Sequence, residues 1–199
     1  SKMNPQFIQV LIVSSLFLLA LEWAKRRFGF NTDYTRKTAH IFYFFVIIYS
    51  YFHLTVHEAM TVLLIFLAVF TVSFIYNLLS SIHIKIYRTW GEIIYIITFL
   101  LLFAFFGENN LVFMSGAFVL GILDPLSAFY KKTSKKNLAY NTLYFITCLA
   151  LLLSIALFYG RCETNYIFLA ALAAALADRY SEFGLDNITV PLAVVLILA

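Results

Sequence analysis

The stretch Asp178-Arg179-Tyr180-Ser181-Glu182-Phe183-Gly184-Leu185-Asp186-Asn187-Ile188-Thr189-Val190-Pro191 sets three carboxylates between two runs, Ile167–Ala177 and Ile188–Ala199, that are almost wholly apolar. An ionisable side chain at membrane depth costs about 3 kcal/mol or more unless it is paired, hydrated or bound to a cation. Asp178, Glu182 and Asp186 therefore read in one of two ways, as part of a functional site or as a solvated loop joining two spans. The rest of the chain bears on the choice.

Composition decides the class. Of 199 residues, 63% are hydrophobic and 12% charged, against about 25% charged in ordinary soluble domains. Mean hydropathy is +0.90. These values predict an all-α, multi-pass integral membrane protein, a helical bundle forming one domain over residues 1–199 with no sizeable soluble part. Ser1 and Lys2, ahead of Met3, read as a cloning remnant. A cleavable signal peptide is not expected, because Lys25-Arg26-Arg27 follows the first apolar run where a small-residue cleavage site would stand. The net charge of +4 is no nucleic-acid footprint, since the basic residues fall in short loops between apolar runs. Cys148 and Cys162 match neither a disulfide framework nor a metal-ligand spacing and read as structural.

A helix needs about 20 apolar residues to cross a hydrocarbon core of about 30 Å. Candidate spans are Pro5–Trp23, His40–Leu54, Val56–Leu79, Ile93–Phe106, Leu111–Phe129, Thr142–Tyr159, Tyr166–Ala177 and Ile188–Ala199, about eight, within a range of seven to nine. The second, fourth, seventh and eighth are short. They cross by extending into polar flanks, by local bilayer thinning or by burial among neighbours.

With the N-terminus outside, twelve of the fourteen Lys and Arg fall on one side, leaving only Lys2 and Arg161 on the other. That asymmetry marks the cytoplasmic face and supports the count of eight. Glu58, Glu108 and Glu163 then lie outside, whereas Asp33, Glu92, Asp124, Asp178, Glu182 and Asp186 lie inside among the cations. A site with both signs of charge is expected there.

Asp124, in Gly121-Ile122-Leu123-Asp124-Pro125, sits near the inner end of the fifth span. Pro125 removes a helix hydrogen bond and is expected to bend or end the helix, leaving Asp124 beside freed carbonyls where a hydrated cation fits. Alternatively, Asp124 caps a short interfacial helix with Pro125 in its first turn. Lys131-Lys132-Thr133-Ser134-Lys135-Lys136 follows, suited to drawing in a polyphosphate or to anchoring the chain at anionic head groups. No Gly-rich P-loop is present. If Arg36-Lys37-Thr38-Ala39-His40 is helical, Arg36 and His40 share a face at head-group level. Gly91-Glu92 precedes the fourth span, and His53, His57 and His83 read as bystanders.

Taken together, these stretches resemble the CTP-dependent lipid-alcohol kinases, the family of dolichol kinase, phytol kinase and the CTP-dependent diacylglycerol kinase. The resemblance covers about Arg36 to Leu192. Gly184-Leu185-Asp186-Asn187-Ile188-Thr189-Val190-Pro191-Leu192 looks like the family's closing G-L-D-[DN]-N-L-T-V-P, with Asp178 at its upstream acidic position. Arg36-Lys37-x-x-His40 resembles the opening R-K-x-x-H, Gly91-Glu92 the G-E before a span, and Asp124 the aspartate of G-D-x-x-A. Two departures stand out. Leu123 replaces the Gly before that aspartate, and Lys136-Asn137-Leu138-Ala139-Tyr140 stands where the family carries K-[ST]-x-E-G.

The resemblance implies transfer of the γ-phosphate of CTP to a polyprenol- or phytol-type alcohol at the cytoplasmic leaflet. It makes Asp124 and Asp186 the Mg2+ ligands, with Asn187 beside them and Arg36, Lys37 and Lys135 or Lys136 on phosphate oxygens. His40, Glu92 or Asp178 orients the acceptor or takes its proton. The implied partners are therefore a lipid alcohol, a nucleotide and the bilayer, with no nucleic acid. A cytidylyltransferase making a CDP-lipid, a silent paralogue and a small transporter are the alternatives. The first lacks its extended signature here, and the transporter lacks inverted repeats.

Overall fold

The computed structural model describes residues 4–76, 78–82, 90–130, 137–160, 164–181 and 184–199, with the side chains of 128–130 outside the description. Among the described residues all regular structure is helical, as expected. It comprises α1 (Pro5–Phe28), α2 (Thr32–His53), α3 (Val56–Tyr76), α4 (Gly91–Phe106), α5 (Asn110–Phe118), a π turn (Val119–Leu123), α6 (Asp124–Tyr130), α7 (Leu138–Phe158), α8 (Thr164–Tyr180) and α9 (Asp186–Leu198). Pro5–Phe28, Val56–Tyr76, Asn110–Ser127 and Leu138–Phe158 are long and apolar enough to cross a membrane; Gly91–Phe106 and Asp186–Leu198 are apolar but shorter.

Burial has the pattern of a membrane protein. Helix α1 buries only Val10, Ser14, Leu18 and Glu22, a stripe at four-residue spacing. Its other faces expose Ile12, Leu16 and Leu19. An apolar surface that extensive suits hydrocarbon rather than water.

Local chemistry sets the helix ends. The Asn4 side chain caps α1 by accepting from Gln6 N at 3.1 Å, with Pro5 in the first turn. At the other end Gly29 takes φ 69° and its N–H bonds the carbonyl of Lys25, a left-handed cap that glycine adopts without strain. Asn31 then caps α2, so that helix starts at Thr32, eight residues ahead of the apolar run at His40. Helix α3 stops at Tyr76 rather than Leu79. Leu78 N donates to Ser73 O at 3.0 Å and Leu79 N to Ser73 Oγ at 3.1 Å, which turns the chain back on the helix end.

Pro125 does not end the fifth span. Asp124 N donates to Val119 O, five residues back, and the helix runs on through α6. The widened π turn accommodates the missing N–H and the bulk of the proline ring, so no break is needed. Asp124 is accordingly a helical residue (φ −62°, ψ −50°), not an extended cap.

The chain divides into two compact units, Ser1–Ala104 and Phe105–Ala199. In the first, Asn4 Nδ2 meets His53 O and Glu58 Oε2, so the start of α1, the end of α2 and the start of α3 share one end. At the opposite end, Glu22 of α1 and Thr35 of α2 both bond the segment that follows α3. In the second unit α8 packs against α7 and α9. Ala170, Ala171 and Ala174 are completely buried there, and small side chains let apolar helices approach closely without a water-driven force. Helix α9 also packs on α5 and on the π turn. Cys148 lies in this core, as its structural assignment anticipated.

Candidate functional site

In the second unit, acidic side chains gather at helix ends. Asp178, in the last turn of α8, is 2% exposed and accepts a 2.9 Å hydrogen bond from the hydroxyl of Tyr140, in the first turn of α7. Asp178 and Asp124 both act electrostatically on Tyr140 and on Tyr144 one turn further along. Asp178 thus touches Tyr140 directly, while Asp124, fifty-four residues earlier in sequence, acts on the same tyrosine only through its charge. Ser127, fully buried, donates to Asp124 O at 2.8 Å and also meets the Tyr140 hydroxyl.

Asp186 opens α9, and Asn187 behind it is buried. Gly184 takes φ 85°, a left-handed conformation that makes the turn into this helix. A carboxylate in the first turn is favoured by the helix dipole, so Asp186 is comfortable there even without a ligand. Helix α9 packs against the π turn that leads into Asp124.

In the first unit, Arg36 and His40 lie one turn apart on α2 and face α4. Arg36 Nη1 is 3.5 Å from Glu92 Oε1, and the Glu92 side chain is only 4% exposed. His40 stacks on Tyr95 with ring centroids 4.5 Å apart, and Tyr95 donates its hydroxyl to His40 O at 2.9 Å. The shared face expected of Arg36 and His40 is present. The His40 ring is buried against α4 rather than exposed. Lys37, next in sequence to Arg36, is half-buried.

Glu22 is the acid that sorting by membrane face passes over. It accepts from Arg26 Nε at 2.6 Å, Ser80 Oγ at 2.9 Å and Ser81 N at 2.8 Å, while Arg26 Nη2 reaches Leu78 O. A carboxylate so fully employed is a structural clasp between α1 and the chain after α3. Its signal in sequence is only Glu22-x-x-x-Arg26, an ordinary helical pair. Tyr140 was also missed, because nothing in its neighbours announces an acid partner on another helix.

Lys135, Lys136 and the other residues of the basic loop lie outside the described residues, as do Glu182 and Cys162. Among the described residues no three His, Cys, Asp or Glu side chains stand together as metal donors. Mg2+ needs less than that, since it keeps several waters and is commonly held through one or two carboxylates and substrate phosphates. Asp124 and Asp186, both half-buried and not sealed, suit such a loosely held hydrated ion; Asp178, closed off by Tyr140, suits it less.

No protein-family model, curated protein or solved structure matches this chain.

Proposed function

We propose that this protein is a multi-pass membrane kinase that transfers the γ-phosphate of CTP to a polyprenol- or phytol-type alcohol at the cytoplasmic leaflet. The observation that carries the proposal is the buried Tyr140–Asp178 bond at the ends of two apolar helices, in the same unit as Asp124 and as Asp186-Asn187, which opens a helix. The order and spacing of the motifs from Arg36 to Leu192 supply the reaction class. In the topology read from the sequence, the basic residues fall on one side and Asp124, Asp178 and Asp186 share it.

In the reaction the alcohol oxygen bonds to the γ-phosphorus as the bond to the β,γ-bridging oxygen breaks. CDP departs with that electron pair, and the hydroxyl proton goes to a base. Asp124 and Asp186 would hold Mg2+ through direct or water contacts, and the ion supplies charge neutralisation across the phosphates. The resemblance assigns phosphate oxygens to Arg36, Lys37 and Lys135 or Lys136, and the orienting of the acceptor to His40, Glu92 or Asp178. A long isoprenoid or acyl alcohol keeps its hydroxyl at the interface while the nucleotide arrives from water, so neither has to cross.

The experiment is to incubate purified protein in lipid with Mg2+, γ-labelled CTP or ATP, and a panel of polyprenols, phytol and diacylglycerol. Labelled lipid phosphate with CDP or ADP as by-product supports the kinase. Pyrophosphate as by-product supports a CDP-lipid synthase instead, and no product with any pair overturns both.

One observation favours a second reading, a catalytically silent paralogue. Tyr140 stands where the resembled K-[ST]-x-E-G pattern has its glycine, and its hydroxyl occupies an oxygen of Asp178. Asn137, at the Ser/Thr position, keeps the capping role by accepting from Ala139 N at 2.9 Å. Nucleotide binding without turnover is the outcome this reading expects.

A further inference from the structure

Within the first unit, α2, α3 and α4 enclose a narrow apolar cleft with one charged end. On α2 its wall runs from His40 to Ser50, and on α4 from Glu92 to Phe103. Each run covers about 15 Å at 1.5 Å per residue, about half the hydrocarbon core of a bilayer. Arg36 pairs with Glu92 at one end, and the remainder of the wall is apolar apart from His40 and the hydroxyls of Tyr43, Ser50 and Tyr95, which bond backbone carbonyls.

Two features of the cleft call for the same kind of occupant. Its interior holds about 40 Å3 of open space, several times what one water needs, yet apolar voids stay dry. Hydrocarbon gains by entering, and the flanking side chains must part to admit a whole chain. At the charged end, Glu92 Oε1 is buried and makes no hydrogen bond among the described residues; Arg36 Nη1 stands 3.5 Å away, beyond good hydrogen-bond length. A buried carboxylate oxygen left short of donors is costly, and a hydroxyl supplies the missing one.

We infer that this cleft binds a single-chain lipid alcohol, the hydrocarbon lying between α2, α3 and α4 and the hydroxyl donating to Glu92 Oε1. Among His40, Asp178 and Glu92, the inference selects Glu92 as the residue that reads the acceptor. It deepens the kinase proposal and rests on it for the class of lipid, but it concerns binding alone. A phospholipid, with two acyl chains, is too wide for the same narrow space.

The test is photolabelling of the full-length protein in phosphatidylcholine vesicles, using a long-chain alcohol with a diazirine in its tail. Labelling is expected on peptides from α2, α3 and α4. The parent alcohol is expected to compete at least about tenfold better than its methyl ether, which lacks the donor, as loss of a hydrogen bond to a charged group implies. Glu92→Ala should erase that preference, and Ala59→Leu, which fills the wall, should reduce labelling while leaving Glu92 intact. Thermal unfolding shows whether each variant is folded, and the ether comparison on the unaltered protein stands if either is not. Labelling spread over all lipid-facing helices, or equal competition by alcohol and ether, overturns the inference. Selective labelling without lipid phosphorylation leaves the cleft standing and removes the kinase. Phosphorylation with labelling elsewhere does the reverse.

Discussion

The hydroxyl of Tyr140 donates to Oδ2 of Asp178 across 2.9 Å, and both side chains are sealed from solvent although thirty-eight residues separate them in sequence. This bond ties the start of α7 to the end of α8 and gives a donor to the most deeply buried acid among the described residues of the second unit. Tyr140→Phe is expected to lower stability by about 1.5–3 kcal/mol, the worth of a hydrogen bond to a charged group. Thermal unfolding in detergent measures this, and an unchanged midpoint would show that the bond contributes nothing. If the chain is a silent paralogue held closed by Tyr140, the same variant gains turnover.

Arg36→Ala strips the buried Glu92 carboxylate of its cation. A loss of at least about 2 kcal/mol is expected, below the 3–5 kcal/mol of fully buried pairs because Arg36 keeps some exposure. Replacing both, Arg36→Met with Glu92→Leu, should recover most of that stability and none of the phosphotransfer activity. A double variant as unstable as the single one would mean that the pair itself, not the uncompensated charge, was being measured.

Glu22→Ala breaks three hydrogen bonds at once and should destabilise the first unit by about 2 kcal/mol or more. Its role is to hold the chain after α3, so turnover per folded molecule should not change. A fall in kcat at full folding would move Glu22 into the site.

Pro125→Ala restores the missing backbone donor and removes the reason for the π turn. Stability is expected to stay level or rise, since proline inside a helix costs about 3 kcal/mol unless the helix adapts. A return to α-helical register shifts Asp124 by one position, so activity should fall even as the protein becomes more robust. Full activity in a more stable variant would show that the π turn serves packing alone.

Asp124→Asn and Asp186→Asn should each raise the Mg2+ concentration needed for half-maximal transfer by about tenfold or more, because one charged ligand is worth at least about 1.4 kcal/mol. Titrating Mg2+ at saturating nucleotide reads the shift directly. Chelation should abolish transfer by every variant, and chelator-resistant product would exclude Mg2+ from the mechanism.

The helices were legible because a bilayer imposes a simple rule on sequence. Residues facing hydrocarbon must be apolar and the backbone must satisfy itself, so long apolar runs such as Val56–Tyr76 and Leu138–Phe158 declare themselves. The ends were less legible, because they depend on short polar contacts. Asn31 carries α2 eight residues beyond its apolar run, and Ser73 stops α3 early. Pro125 shows a related limit, since of bending or ending the helix it does not end it. Its effect depends on whether the preceding turn can widen, which the identity of the proline does not reveal.

By itself, the sequence determined that the chain is helical and built for a bilayer; it singled out Asp124, Asp178, Glu182 and Asp186 as acids costly to leave idle, and Arg36, His40 and Glu92 through a family resemblance. Only the tertiary structure decided the company they keep: Glu92 beside Arg36 at the end of an apolar cleft, Asp178 under Tyr140, and Glu22 clasping the chain after α3. Hydrophobicity is a property each residue carries along the chain. A hydrogen bond or an ion pair exists only where folding brings two distant side chains within about 3–4 Å, and that meeting is not written at either position alone.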